Sequence, residues 1–247
     1  MTTISVVIPS KDRPEFLARA LASVSRQTYA NTEIVVIDDG EGDALRLCRG
    51  VDAGLPLSAY DNVRRGQVAA RNLGVSKSRG EVIAFLDDDD WWEDRTYLAK
   101  LAAHHGARRQ ATYASGFIVA EDGLATEVER LTFAARFSGQ DILKDNMILV
   151  SGFSFDRALS EDVGPFDEAL PFYWDWDWYI RLSRRGARFH DLGQAGVCIS
   201  TRRGTVSSPE YVALRQGNLA LLSGKHGLGA LTLRNHESIA RDALSAG

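Results

Sequence analysis

The chain contains little cysteine, methionine or proline: its 247 residues include two Cys, two Met and six Pro. Cys48 and Cys198 build neither a disulfide framework nor a metal-ligand spacing, so we expect free thiols in a reducing cytosol. No apolar run reaches the length that spans a bilayer, and no basic region followed by a long apolar stretch precedes the first strand-like segment. We therefore expect a cytoplasmic protein whose membrane contact, if it has one, is peripheral.

Positive charge is not in excess either. The 33 Asp and Glu outnumber the 29 Lys and Arg, and the net charge of -4 argues against nucleic acid as the main partner. Hydrophobic residues make up 45% and charged residues 25% of the chain, which is typical of a globular protein and not of a disordered one. The length suffices for one α/β domain or two small ones, and no repeat or linker divides the chain.

Short β-branched runs alternate with helical patterns in the first 105 residues. Strands are predicted at 4–9, 32–37, 55–60 and 81–86, and helices begin near Pro14, after Gly40 and at Gly66. This order predicts a mostly parallel, doubly wound (Rossmann-like) sheet. Later segments predict helices at 98–105 and 174–185, strands at 112–120, 147–155 and 197–201, and two helical stretches within 210–244, broken around 224–229. The expected fold is one α/β domain with an irregular second half.

Four consecutive aspartates, Asp87 to Asp90, follow the fourth predicted strand and precede two tryptophans. A run of like charges is usually a solvated loop, which is one interpretation here. The second predicted strand also ends in acidic residues, at Asp38-Asp39. Ligands of open α/β sheets bind outside the carboxyl ends of the strands, so we expect both clusters to face one cleft. In the second interpretation, the carboxylates after the fourth strand converge there on a divalent cation.

The first predicted strand is not followed by a Gly-x-Gly-x-x-Gly segment, and Pro9 to Arg13 occupies that place. This argues against a dinucleotide-dependent dehydrogenase. A nucleotidyltransferase uses the same fold type and paired carboxylates on Mg²⁺, but it normally has a Gly-rich phosphate loop at this point. A nucleotidyltransferase and a non-catalytic nucleotide-sugar or glycan-binding module remain the alternative functions.

Six motifs occur in a fixed order along the chain. They are SVVIPS at 5–10, IDDG at 37–40, ARNLG at 70–74, GEVIAFLDDDDW at 80–91, GPFDE at 164–168 and DWDWYIRL at 175–182. In this order and at these intervals they resemble the inverting nucleotide-sugar glycosyltransferases of family 2, which have a GT-A fold. The resemblance covers about residues 4 to 205.

The resemblance implies a single domain over residues 1–247. Residues up to about 110 would bind a nucleotide sugar, those from about 111 to 205 the acceptor, and the rest would form a helical tail. The implied reaction moves a sugar from a nucleoside-diphosphate sugar, with UDP preferred and dTDP possible, to an acceptor hydroxyl. The acceptor would be a glycan, a lipid-linked molecule or a small molecule.

By the same resemblance, five residues belong to the donor site. Asp39 would accept a hydrogen bond from the pyrimidine base, and Arg71 would contact the nucleotide and its phosphates, because a guanidinium binds phosphate oxygens well. Pro9, at the end of the first motif, and Asp88 are assigned to the same site. Arg202 begins a segment, reaching residue 207, that we expect to form a mobile loop with arginines against the phosphates.

The aspartate run resembles the family's Asp-x-Asp motif. Asp87 and Asp89 have that spacing, while Asp88 and Asp89 form the alternative pair. Asp89 belongs to both pairs and is the first choice as ligand of Mn²⁺ or Mg²⁺, with Asp87 as the second. The cation would orient the donor and neutralise charge on the departing diphosphate. Asp90 is expected to cap the next helix.

Asp175 matches the family's catalytic base, at the start of the predicted helix 174–185. Asp177 is the alternative base, and an Asp175 that only caps the helix is the structural alternative. A carboxylate bordered by Trp and Tyr is expected to have a raised pKa, which favours proton removal from an acceptor hydroxyl near neutral pH. Trp174 stands where the family usually has glutamate and can offer an apolar face to a sugar ring.

Overall fold

The computed structural model describes residues 2–105, 109–123, 126–202, 211–236 and 238–240. The strands are β1 (Ile4–Ser10), β2 (Thr32–Asp38), β3 (Leu57–Asp61), β4 (Val82–Phe85), β5 (Trp91–Trp92), β6 (Gln110–Glu121), β7 (Glu127–Phe133), β8 (Phe153–Asp156) and β9 (Arg188–Thr201). The α-helices are α1 (Pro14–Ser25), α2 (Asp43–Gly50), α3 (Gln67–Lys77), α4 (Tyr97–His104), α5 (Ala158–Val163), α6 (Trp174–Arg184) and α7 (Val212–His226). Short 3-10 turns occur at Asp141–Leu143 and Val150–Gly152.

The strands form one sheet that runs through both halves of the chain. Its hydrogen-bonded order is β3-β2-β1-β4-β8-β6-β9-β5, with β7 paired to β6. β1 to β4 are parallel, as the alternation of strands and helices predicts. β8 is antiparallel to both β4 and β6, so β6 and its parallel neighbour β9 run in the direction of β4. Only β5, β7 and β8 oppose the others within the described sheet.

The second half contains regular elements that the sequence pattern does not predict. β7 and α5 occur where only irregular chain was expected, and residues 91–92 form the two-residue strand β5. β7 lies outside the main strand order and pairs with β6 alone. Its half-exposed sequence lacks the continuous apolar run that marks the buried strands. β5 depends on a partner far along the chain, because Trp91 pairs with Cys198 of β9.

The prediction that Asp90 caps a helix is wrong. A strand follows it instead, and α4 begins only at Tyr97. The Asp90 carboxylate is 4% exposed and accepts hydrogen bonds from Ser151 Oγ and from the backbone N–H of Ser200, the latter at 2.8 Å. Burial raises its pKa well above the usual value, and neighbouring Asp89 adds to the rise. Asp90 therefore joins the end of β9 to the aspartate run.

The helix predicted at 174–185 is confirmed as α6, although its Trp-Asp alternation also fits a strand. Trp174 and Trp178 both pack on Phe166, with ring centroids 4.9 Å apart in each case. Trp178 also contacts Phe155 of β8 at 4.5 Å. Residues four apart lie on the same face of a helix, so a helix can bury these two rings together against the sheet. This packing fixes the position of Asp175, one residue after Trp174.

The described part of the tail packs against the domain. α7 ends at His226, and the next residue, Gly227, adopts a left-handed φ of +63°, so the predicted break near 224–229 is confirmed. Leu222 and Ala240 are fully buried. Residue 237 and residues 241–244 of the second predicted helical stretch lie outside the described residues. Among the described residues, no helix combines the length and the apolar character that a bilayer crossing requires.

Candidate active site

The carboxyl ends of β1, β2 and β4 lie side by side. We call this region, which contains Ser10, Asp39 and the aspartates 87–90, the strand edge. Ser10, at the end of β1, donates from Oγ to Asp88 Oδ2 at 2.8 Å, and its carbonyl accepts the N–H of Asp39 at 2.7 Å. The acidic clusters after β2 and β4 therefore lie together, as their positions after strands predict. Pro9 pairs in register with Ile37 and contributes backbone next to this edge.

The aspartate run is not a solvated loop. Asp88 is 0% exposed and Asp90 is 4% exposed, while Asp87 and Asp89 are half-buried. Burial raises the pKa of Asp88, although the positive charge of Arg13 opposes the rise. Such burial costs free energy unless nearby cations and hydrogen bonds compensate the charges.

Two arginines provide that compensation at Asp88 and Asp89. Arg13 pairs with Asp88 and, at 2.6 Å, with Asp89. Arg202 pairs with the same oxygen of Asp89 at 2.8 Å, and its guanidinium lies 3.7 Å from the ring centroid of Phe16. No motif of the sequence assigns a role to Arg13. The continuation of the predicted phosphate loop, residues 203 to 207, lies outside the described residues.

Arg71 joins the strand edge to α6. It follows Gly66, which precedes α3 with a φ of +106°, and its side chain is 5% exposed. The guanidinium pairs with Asp87, donates to the carbonyl of Gln67 at 3.0 Å and lies 4.6 Å from the ring centroid of Trp174. One face of the Trp174 ring therefore contacts Arg71, and Trp174 also lines the cavity that is described below.

Asp39 shapes the loop that leads into α3. Its Oδ1 accepts hydrogen bonds from Asn62 Nδ2 at 2.6 Å and from the N–H of Gly66 at 2.7 Å. Its Oδ2 accepts none from the described residues. Asp39 thus holds the loop with one oxygen and leaves the other without a hydrogen bond from the described residues.

A cavity of about 190 Å³ brings residues of both halves together. Arg71 and Asp87 line it from the first half, and Asp175 lines it from α6. Asp39, Asp88 and Asp89 do not line it and lie at the neighbouring strand edge. The predicted residues therefore form two adjoining groups, one at the strand ends and one around Asp175.

Asp175 lies in the first turn of α6. Asn146 donates from Nδ2 to its Oδ2 at 3.1 Å, and the N–H of Ile148 fixes the Asn146 amide by donating to Oδ1 at 3.1 Å. Burial raises the pKa of Asp175 to about 6, although hydrogen bonds from Trp176 N–H and Asn146 lower it. A carboxylate with this pKa can accept a proton near neutral pH.

Two features of this group have no signal in the sequence. Asn146 belongs to a polar stretch without a motif, and its contact with Asp175 joins residues 29 positions apart. Tyr173, just before α6, adopts a left-handed φ of +61°. Such a conformation costs a non-glycine residue about 1–3 kcal/mol, and strain of this kind is often found at functional sites.

Asp177, the alternative base, has different surroundings. Its side chain is 0% exposed and does not line the cavity. Oδ2 accepts from Arg181 Nε at 2.8 Å, and Oδ1 contacts Lys225 Nζ at 2.7 Å and His226 Nε2 at 2.8 Å. Asp177 therefore ties α6 to the end of α7, which is a structural role.

We expect Asp177→Asn to lower the free energy of unfolding by about 1–3 kcal/mol, because it leaves partly buried cations without their carboxylate. Urea denaturation measures this change. The matched control is Asp122→Asn, an exposed turn residue, which we expect to leave stability unchanged. Equal stability of the two variants would contradict the structural role of Asp177.

A Ser–His–Asp contact in the core is also structural. His105 lies 2.7 Å from Asp156 Oδ1 through Nδ1 and 3.1 Å from Ser154 Oγ through Nε2. The His105 side chain and Ser154 are both 0% exposed, so no substrate reaches the hydroxyl. The contact instead connects the end of α4 to β8.

The sequence of residues 5–159 matches the family model described as Glycosyl transferase family 2. The chain belongs to glycosyl transferase family 2. It is also 31% identical over 237 residues to the uncharacterized glycosyltransferase YwdF of Bacillus subtilis (strain 168), with 94% of this chain and 87% of YwdF covered. The resemblance carried by the motifs is confirmed, and the chain is a glycosyltransferase enzyme. Of the three functions considered, the comparisons favour sugar transfer.

Solved structures share the fold of this family 2 chain. The mannosyltransferase PcManGT from Pyrobaculum calidifontis, in complex with GDP-Man and Mn²⁺, matches with a TM-score of 0.69 and 15% identity over 99% of this chain and 69% of PcManGT. S. aureus TarS 1-349 in complex with UDP-GlcNAc matches with a TM-score of 0.67 and 20% identity over 90% of this chain and 66% of TarS 1-349. The chain thus spans about two thirds of each solved chain, and the expected GT-A type α/β fold is confirmed.

The strand edge has the chemistry for a divalent cation. Asp89 Oδ1 and Asp87 Oδ2 accept no hydrogen bond from the described residues, whereas the other oxygen of each pairs with arginine. Mg²⁺ and Mn²⁺ are often bound by one or two carboxylates together with substrate phosphates and water. Within the described ranges no three potential ligand side chains are grouped for a metal.

Proposed function

We propose that this family 2 enzyme transfers a sugar from a nucleoside-diphosphate sugar, with UDP preferred over dTDP, to an acceptor hydroxyl with inversion at the anomeric carbon. The acceptor is a glycan, a lipid-linked molecule or a small molecule. One observation carries the proposal: Asp175, with a pKa of about 6, shares a cavity with Arg71 and Asp87. A proton acceptor and the donor-side charges of Arg71 and Asp87 therefore face one cavity.

The donor is bound at the strand edge. Asp39 Oδ2 accepts the N–H of a pyrimidine base, since its other oxygen is already used within the chain. Arg71 and Arg202 place positive charge beside the diphosphate. Asp88 pairs with Arg13 and so holds a third positive charge in this region. Nucleotide sugars bound in TarS and PcManGT support this class of donor.

Asp89 and Asp87 hold a divalent cation, Mn²⁺ or Mg²⁺. When bound, the ion supplies positive charge against the diphosphate as it leaves. The oxygens of Asp89 and Asp87 that bind no described residue support this assignment. The Mn²⁺ in the complex of PcManGT supports the choice of metal.

Asp175 is the general base. It takes the proton of the acceptor hydroxyl, whose oxygen then forms a bond to the anomeric carbon. The bond from that carbon to the diphosphate oxygen breaks, and its electron pair leaves with the diphosphate. Arg71 faces the same cavity and stabilises the negative charge that develops. A single displacement of this kind inverts the anomeric configuration.

A donor screen tests the reaction class. UDP-glucose, UDP-GlcNAc, dTDP-glucose and GDP-mannose are incubated with Mn²⁺, and the released nucleotide is identified by chromatography. We expect nucleoside diphosphate from the pyrimidine donors, and proton NMR of a glycoside product should show inverted configuration. Release of sugar 1-phosphate would indicate nucleotidyl transfer instead, and metal-independent UDP binding without turnover would indicate a binding module.

The rate of transfer should fall as the pH drops through about 6. Burial raises the pKa of Asp175 to that value in the free enzyme, and a base works only when deprotonated. We therefore expect kcat/KM for the donor to stay level above pH 6 and to decline about tenfold per pH unit below it. Arg71 and Asn146 face Asp175 and favour its ionised form. The pKa values of Tyr173 and Tyr179 are raised, so these neighbours stay neutral over this range. Initial rates at donor concentrations well below KM give the profile, and a decline centred near the ordinary aspartate value of about 4 would contradict the assignment.

A further inference from the structure

A segment that follows α7 lines part of the cavity that contains Asp175. We name this segment, residues 228–236, the tail segment. Thr232, Arg234, Asn235 and His236 of this segment line the cavity together with residues of α3 and α6. The segment therefore separates the proposed base from bulk solvent on one side.

Arg234 anchors the tail segment to the turn formed by residues 141–146. Its Nε contacts both carboxylate oxygens of Asp145, at 3.1 and 3.0 Å, and its Nη2 contacts Oδ2 at 2.5 Å. Both side chains are only 21% exposed. The N–H of Thr232 donates to the carbonyl of Lys144 at 3.1 Å, and Arg215 of α7 donates to the carbonyl of Arg234. The tail segment thus binds two consecutive residues of the turn.

The same turn carries the hydrogen-bond partner of the proposed base. Asp145 directly precedes Asn146, which donates to Asp175 at 3.1 Å. The turn has little regular structure of its own: Asp145 N–H bonds to the carbonyl of Asp141 at 2.9 Å, after a three-residue 3-10 turn. The ion pair between Arg234 and Asp145 is therefore formed by the residue directly before Asn146.

We propose that the tail segment forms the outer wall of the acceptor subsite and that Arg234 is a positioning residue, which acts through Asp145 to place Asn146 against Asp175. The inference rests on the proposed function, because it assigns the cavity around Asp175 to the acceptor. The donor-side aspartates Asp87, Asp88 and Asp89 pair with Arg13, Arg71 and Arg202. Arg234, in contrast, pairs with Asp145. Loss of the anchor should consequently affect the chemical step and leave donor binding intact.

The test compares Arg234→Ala and Arg234→Lys in the full chain. The probe is UDP release from the UDP-sugar that the donor screen identifies, with water as acceptor. We expect Arg234→Ala to lower kcat roughly 10–100-fold with an unchanged KM for the donor, since small misplacement of a catalytic group has effects of this size. Arg234→Lys keeps one ionic contact and should restore part of the rate. The control is Arg109→Ala, which removes an exposed pair with Asp162 and should leave kcat unchanged.

Hydrogen–deuterium exchange gives a second measurement that does not require activity. Peptides spanning 141–150 should exchange faster in Arg234→Ala than in the wild type, while peptides of β1 and β2 should not change. An unchanged or raised kcat in Arg234→Ala, a raised donor KM, or unchanged exchange at 141–150 would overturn the inference. Failure of the proposed function would look different, because the wild type itself would release no UDP while the exchange experiment would still report on the anchor.

Discussion

Asp175→Asn should lower the rate of sugar transfer by roughly 10²–10⁴-fold, the range that a general base contributes to catalysis. The substitution keeps the size of the side chain and an oxygen for the hydrogen bond from Asn146, but it removes the proton acceptor. Asp175 forms none of the described ion pairs at the strand edge, so affinity for UDP should stay the same. Calorimetry with UDP and steady-state transfer rates measure the two effects separately.

Asp177→Asn is the matched control for this prediction. It removes the same charge from the same helix, two residues away, but from a carboxylate that contacts Arg181, Lys225 and His226 instead of the cavity. Its transfer rate per folded molecule should be close to that of the wild type, while its stability falls. If Asp177→Asn loses transfer and Asp175→Asn keeps it, the base is Asp177.

The sequence predicts the meeting of the two acidic clusters well because each cluster is encoded locally, directly after its strand. Short apolar strands of β-branched residues are recognisable by themselves, and acidic residues directly after two of them must lie at the carboxyl edge of a parallel sheet. Asp39 and Asp88 meet around Ser10 for this reason. The packing of Trp174 and Trp178 on one helical face likewise follows from their spacing of four residues.

The parts that sequence patterns miss depend on contacts between distant segments. Asn146 reaches Asp175 over 29 positions, and Arg234 reaches Asp145 over 89. Neither residue belongs to a periodic pattern, so only the folded chain shows their partners. Asp90 is a related case: an aspartate before an expected helix suits a cap, but its partner Ser200 is 110 positions away.

Charge compensation explains how the chain can hold four adjacent aspartates at one strand end. Arg13, Arg71 and Arg202 pair with three of them, and the fourth is hydrogen-bonded to Ser151 and Ser200. Ion pairs of this kind offset the loss of hydration of buried carboxylates. The arrangement also keeps cationic groups beside the place where a diphosphate is proposed to bind.

Asp89→Asn should weaken binding of Mn²⁺ in the presence of UDP and lower kcat by roughly 10²–10³-fold. Charge stabilisation by a metal contributes several kcal/mol, and each 1.4 kcal/mol corresponds to about a tenfold change in rate. Asparagine retains the shape of the side chain beside Arg13 and Arg202 but provides a neutral oxygen in place of a charged one. Titration of Mn²⁺ followed by electron paramagnetic resonance, with and without UDP, measures the affinity independently of turnover.

Asp122→Asn serves as the control here too, because that exposed turn residue lies outside the strand edge and should leave both measurements unchanged. Asp87→Asn tests the second proposed metal ligand separately from Asp89. It should also weaken Mn²⁺ binding, but it additionally leaves the buried Arg71 without its carboxylate, so a loss of stability should accompany it. Transfer that persists in EDTA, together with normal rates in Asp89→Asn, would show that the arginines alone stabilise the leaving diphosphate.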